Sequence, residues 1–157
     1  MRTKCLFMFF LLAFALIGAE EQITFSPPQG WSMANREGIP DKIKIMVVGT
    51  TSSHFPPSIS LGYEPYTGTM EEYVAEAKKV NAALKSDFRD LGTFDTTAGK
   101  GRLVQIDSPS EWGDIRILHL FLIRDKTLIV ITAASLKSEF KIFYQDFFAS
   151  LKSLQIK

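Results

Sequence analysis

The sequence predicts an α+β fold, a mostly antiparallel sheet of about six strands held between helical layers as an α/β/α sandwich. Three observations lead there. Apolar residues alternate with polar ones in several short segments, the two-residue period of half-buried strands. Two late strands are apolar on both faces and so must be covered on both sides. Two other stretches, one mid-chain and one Phe-rich at the C-terminus, repeat their apolar residues at the three- and four-residue steps of helices.

Taken in order, Ile23-Thr24-Phe25 reads as a short strand stopped by Pro27-Pro28-Gln29-Gly30-Trp31, because proline fixes φ and removes an amide donor. Ile43, Ile45 and Val47 alternate with Lys42, Lys44 and Met46. Ile59, Leu61 and Tyr63 repeat the pattern within residues 58–63. The period then changes. Met70, Tyr73, Val74, Ala77, Val80, Leu84 and Phe88 share one helical face. Thr69 and Glu72 have capping-box spacing, and Glu71, Glu72 and Glu76 precede Lys78, Lys79 and Lys85 in the order that suits the helix dipole.

Residues 93–97 and 102–107 follow as strands joined through Gly99-Lys100-Gly101. Residues 115–124 and 127–134 form a hairpin across a two-residue Asp125-Lys126 turn. In its first strand Ile115, Ile117, Phe121 and Ile123 point one way, and Leu118, Leu120 and Leu122 the other. Phe140, Phe143, Tyr144, Phe147, Phe148, Leu151 and Leu154 then form a helical stripe with Ser138 as its expected N-cap. Burial of such side chains contributes ~1.5–3 kcal/mol each, so this helix should dock on the sheet.

The first nineteen residues read as a secretory signal peptide: basic Met1-Arg2-Thr3-Lys4, an apolar run from Leu6 to Ile17, and small residues before Glu20. The run is too short for a membrane span, which needs about 20 residues. A retained signal anchor is the alternative to cleavage after Ala19. A lipid anchor would need cysteine at position 20, where Glu20 stands; the one cysteine, Cys5, precedes the apolar run. Cleavage would remove two of the 18 basic residues and none of the 17 acidic ones, so the formal charge moves from +1 to −1. Residues 20–157 then form a cysteine-free chain of one-domain size, with neither disulfides nor thiolate chemistry. Its near-neutral charge, without a Lys/Arg cluster, gives no reason to expect nucleic acid as a partner.

The residues that could carry chemistry are few. His119 alternates with Ile117 and Phe121 and reads as a hydrogen-bonded core or sheet-face histidine; His54 lies in a Pro-rich loop and reads as exposed. Nothing at ligand spacing accompanies either, so no metal or cofactor is expected. Ser52 and Ser53 adjoin His54 without a nucleophile elbow. Asp107, Glu111 and Asp114 could act as paired carboxylates, but a solvated hairpin tip is the simpler reading. Aromatic residues near Pro- and Gly-rich loops suggest a partner surface: Trp112, Phe55, Tyr63 and Tyr66, with His54 beside them. Each could instead fold back over the core.

Three blocks carry a resemblance to a known family: the opening Ile23-Thr24-Phe25-Ser26-Pro27-Pro28-Gln29-Gly30-Trp31, the helix from Thr69, and the closing hairpin from Gly113-Asp114-Ile115-Arg116 to Ala134 with its Phe-rich helix. In their order the chain resembles the PsbP-like family, whose α/β/α sandwich is shared by an extrinsic subunit of the oxygen-evolving complex, Ran-binding Mog import factors and DcrB-like envelope proteins. Residues 41–62 fit less well and could hold an extra or shifted strand. The resemblance transfers no catalytic motif and implies a protein-binding or accessory role. The expected function is thus an exported, non-catalytic binding protein of the bacterial envelope, periplasmic or secreted, with a protein partner. The alternatives are a small secreted hydrolase using His54 or the acidic loop, and a small-molecule carrier marked by a closed apolar cavity between helix and sheet.

Overall fold

A computed structural model describes residues 21–157; the leader pattern and the expected cleavage after Ala19 lie outside these residues. The elements are β1 (Ile23–Thr24), β2 (Ser32–Met33), β3 (Ile43–Val48), β4 (Ser58–Pro65), α1 (Met70–Ala83), β5 (Asp87–Thr96), β6 (Gly99–Ser108), β7 (Ile115–Arg124), β8 (Thr127–Leu136), α2 (Phe140–Lys152) and β9 (Gln155–Ile156). Seven strands pair antiparallel in the order β2-β3-β4-β8-β7-β6-β5. The sheet is thus two meanders, β2 to β4 and β5 to β8, joined where β4 meets β8. The crossover between them is α1.

The double-faced apolar pattern has the expected consequence. Leu118, Leu120 and Leu122 of β7 join Leu103, Ile129, Ile131, Ile59 and Leu61 under α2, with Phe140, Phe147 and Leu151 of that helix. Phe121 points the other way and joins Val104, Leu128 and Val74 of α1. The two helices therefore cover opposite faces, and the fold is an α/β/α sandwich. The β7–β8 turn is as read: Asp125 and Lys126 both take positive φ, 48° and 60°, between the paired Arg124 and Thr127. The capping box of α1 also forms, Glu72 N on Thr69 Oγ1 at 3.2 Å and Thr69 N on Glu72 Oε2 at 2.8 Å.

Several expectations need correction. The helical stripe through Phe88 stops short: α1 ends at Ala83, Lys85 takes a left-handed φ of 57°, and Phe88 lies on β5. The last turn of α1 carries no basic residue. The turn between β5 and β6 is Thr97-Ala98, and Gly99-Lys100-Gly101 belongs to β6. The N-cap position of α2 is held by Glu139, whose side chain bonds Thr51 and Ser53 instead of capping.

Two bulges escaped the period-two reading because each inserts one residue and flips the face. Between Ile43 and Ile45 the partners advance by one residue, from Gly62 to Leu61, so Ile43 leaves the α2 face that Ile45 and Val47 share. Between Asp90 and Gly92 a second bulge lets Phe88 face α1 while Phe94 packs with Phe148 of α2. The two-residue β9 pairs with β1, and Ser150 Oγ donates to Ser26 O at 2.9 Å, which anchors the first described strand on α2.

Candidate functional site

The proposed aromatic surface divides in two. Residues 109–114 link β6 to β7 in a tight tip: Gly113 N donates to Ser110 O, Ser110 N donates to Gly113 O, and Trp112 N donates to Ser110 Oγ at 3.2 Å. The tip holds Trp112 49% exposed with its ring centroid 5.7 Å from that of Phe55. Phe55 comes from the loop between β3 and β4, where Thr51 Oγ1 and Ser53 Oγ donate to the Glu139 carboxylate at 2.9 and 3.2 Å. One rigid corner thus carries Trp112 and Phe55, with exposed His54 next in the chain. Tyr63 and Tyr66 lie at the other end of β4, because Ser58 pairs with Ala134 and Pro65 with Thr127. There Tyr66 meets Tyr73 edge-on at 5.4 Å, and Lys44 Nζ lies 5.8 Å from the Tyr63 ring centroid.

The residues considered for hydrolysis are not assembled. The His54 side chain has no hydrogen-bond partner among the described residues, while Ser53 is committed to Glu139 and to Phe55 O. Asp107 is not part of a solvated tip. It is buried at 8% exposure, and Arg116 grips it through Nε at 2.7 Å and a second guanidinium nitrogen at 2.8 Å, with Lys137 Nζ at 3.0 Å. Hydrogen bonds from Arg116, partly offset by burial and helped by Lys137, hold its carboxyl at about 2. Asp107 is therefore a structural ion pair, separated in role from the exposed Glu111 and Asp114.

The small-molecule carrier alternative predicts a closed apolar cavity between helix and sheet, and the structure has an open one there, between α1 and the sheet. The α1-side residues of β4 are small, Ser58, Ser60 and Gly62, whereas its other face carries fully buried Ile59 and Leu61. The helix packs over β5 and β7. Beside it a cavity of about 430 Å³ is left, walled by Ile43, Tyr73, Val80, Phe121 and Val130 and open to solvent. Gly62 shapes this wall, since a Cβ there would come within 2.8 Å of Lys42 O. On the floor the register aligns Ser60, Thr132 and His119 in one row across β4, β8 and β7. His119 Nδ1 meets Thr132 Oγ1 at 2.8 Å, and its ring stacks on Phe121. Burial lowers its pKa to about 4, so the imidazole is neutral near pH 7. His119 is thus the hydrogen-bonded sheet-face histidine expected, but it also lines a cavity.

These layers and this strand order are the PsbP/Mog/DcrB-like fold. The solution structure of cyanobacterial PsbP (CyanoP) from Synechocystis sp. PCC 6803 matches with a TM-score of 0.59 at 12% identity, covering 94% of this chain and 99% of that one. LpqN, involved in cell envelope biogenesis of Mycobacterium tuberculosis, matches at 0.59 and 12%, covering 89% and 86%. The Ran-binding protein Mog1p of Saccharomyces cerevisiae matches at 0.58 and 13%, covering 87% and 94%. No protein-family model and no curated sequence matches the chain. At these identities the likeness defines the fold. Among the described residues no helix is long and apolar enough to cross a membrane.

Proposed function

We propose that residues 20–157 act as one exported, non-catalytic binding domain of the bacterial envelope, periplasmic after cleavage at Ala19, and that a protein partner docks at the Phe55–Trp112 corner. The observation that carries the docking site is the half-exposed Trp112 ring, held by a hydrogen-bonded tip and buttressed by Phe55. A rigid exposed tryptophan offers a large anchor at low ordering cost, the usual character of an interface hot spot. Two matching structures support a binding or accessory role by analogy of fold: one is described as Ran-binding, the other as involved in envelope biogenesis. Export rests on the layout of the first nineteen residues. His54 extends the same corner; Tyr63 and Tyr66 would serve a separate contact.

The test is fractionation of cells expressing the tagged protein with a photo-crosslinking residue at position 112, followed by identification of the crosslinked species. The reading expects a processed periplasmic protein that crosslinks to a discrete partner, with the crosslink abolished when Phe55→Ala loosens the corner. Acrylamide should quench Trp112 strongly in a Trp31→Phe background. Recovery as a full-length membrane-integral species would overturn the localisation, and a shielded Trp112 would overturn the docking site.

A further inference from the structure

We propose that the cavity between α1 and the sheet is a binding site for an uncharged, largely apolar small molecule bearing one hydroxyl group. Its volume of about 430 Å³ falls in the range of small-molecule sites, roughly 300–1,000 Å³. Such sites combine apolar walls with a few placed polar groups, and this cavity has that composition. The walls are Ile43, Val80, Phe121 and Val130, and the floor is the Ser60–Thr132–His119 row.

The floor decides the ligand class. Thr132 occupies His119 Nδ1, leaving Nε2 and the Ser60 hydroxyl without a protein partner among the described residues. Neither is sealed away, since no buried side-chain nitrogen or oxygen lacks a partner there. Both therefore open toward the cavity. A neutral imidazole presents Nε2 as donor or acceptor according to tautomer, and a serine hydroxyl can do either. A ligand hydroxyl can pair with either, because it donates and accepts at once. A charged group would have to shed its hydration against a floor that carries no charge. The lining residues that carry charge, Lys42, Glu64 and Glu76, are all exposed to solvent. The site is distinct from the Phe55–Trp112 corner, and failure of either proposal leaves the other standing.

The protein is titrated with 2-naphthol, followed by naphthol fluorescence, and in parallel with naphthalene as the hydroxyl-free control. Saturable one-to-one binding is expected, with naphthol favoured by about tenfold, the worth of one net hydrogen bond. His119→Phe should erase that preference while leaving naphthalene affinity in place, and Ala77→Trp, which fills the cavity from the helix, should block both. If His119→Phe misfolds by near-ultraviolet circular dichroism, Ser60→Ala, which deletes a single oxygen, carries the test and should reduce the preference. Absence of saturable naphthol binding, equal affinity for the two probes, or a preference that survives loss of the floor hydroxyl and imidazole would overturn the proposal.

Discussion

Asp107 and Arg116 are direct partners in the β6–β7 register, and their side chains close a two-pronged ion pair at 2.7 and 2.8 Å beneath the start of α2. The guanidinium also lies 5.2 Å from the Phe140 ring centroid, so one arginine ties both strands to the helix. The Asp107 carboxyl titrates near 2 instead of 3.8, because the Arg116 hydrogen bonds favour its charged form. A depressed carboxyl pKa stabilises the fold above the unfolded value, and that stability is lost as pH falls toward the folded value. Asp107→Asn should therefore cost about 2 kcal/mol at pH 7, with the deficit shrinking as pH falls from about 4 toward 2. Urea denaturation at the two extremes checks this; an equal deficit at both would contradict it.

His119 gives the opposite protonation state in a different window. Burial lowers its pKa from 6.5 to about 4, so between those values the unfolded chain binds a proton that the folded chain refuses. Stability is thus full above about pH 6.5 and declines as pH is lowered to about 4. The cavity that opens on the ring admits water, so the decline should be on the order of 2 kcal/mol rather than the whole shift. Glu64, Glu76, Lys42 and Tyr73 line the same cavity. Imidazole chemical shifts should report a neutral ring at pH 5, and His119→Phe should flatten the stability profile between pH 4.5 and 7. A ring that titrates near 6.5 would refute the assignment.

The Asp125-Lys126 turn carries removable strain. Both residues occupy left-handed φ, which a type I′ hairpin requires and which costs residues with a Cβ about 1 kcal/mol each. Replacing the pair with Asn-Gly should raise stability by ~0.5–1 kcal/mol and the Tm by a few degrees. The exchange also removes the Arg124–Asp125 ion pair. That pair spans 3.7 Å with the Asp125 side chain 82% exposed, so its removal should be nearly neutral. An unchanged or lower Tm would argue against type I′ strain.

Much of this was legible in the sequence, and the exceptions have physical reasons. The hairpin, the capping box and the Phe-rich helix are local patterns and all three formed, although α2 has Glu139 at its N-cap and ends at Lys152, before Leu154 of the stripe. Even the cavity floor was within reach: with Arg124 paired to Thr127 across the turn, counting back places His119 opposite Thr132. The alternation of small Ser58, Ser60 and Gly62 with large Ile59 and Leu61 was a second signal, since small side chains on a covered face leave space. The bulges at Ile43–Ile45 and Asp90–Gly92 were hidden because a period-two pattern does not record an inserted residue. Phe88 continued the period of α1 by accident of spacing. The Phe55–Trp112 contact joins two loops distant in sequence, and no local periodicity encodes it.

Phe147 tests whether α2 holds the sandwich together. It is fully buried, edge-on to Trp31 at 6.1 Å, and tilted against Phe140 at 5.8 Å and Phe143 at 6.1 Å. Truncation leaves a cavity among rings fixed by the sheet below and by Trp31 beside them, so little collapse can offset the missing packing. Phe147→Ala should cost ~3–5 kcal/mol in denaturant titration. It should also alter the fluorescence of Trp31, whose ring loses that neighbour. On the opposite face of the helix Ile142 is 73% exposed, and Ile142→Ala should change stability by no more than about 0.5 kcal/mol. A Phe147→Ala cost below about 1 kcal/mol, or comparable costs at the two positions, would mean that α2 does not dock through its phenylalanine stripe.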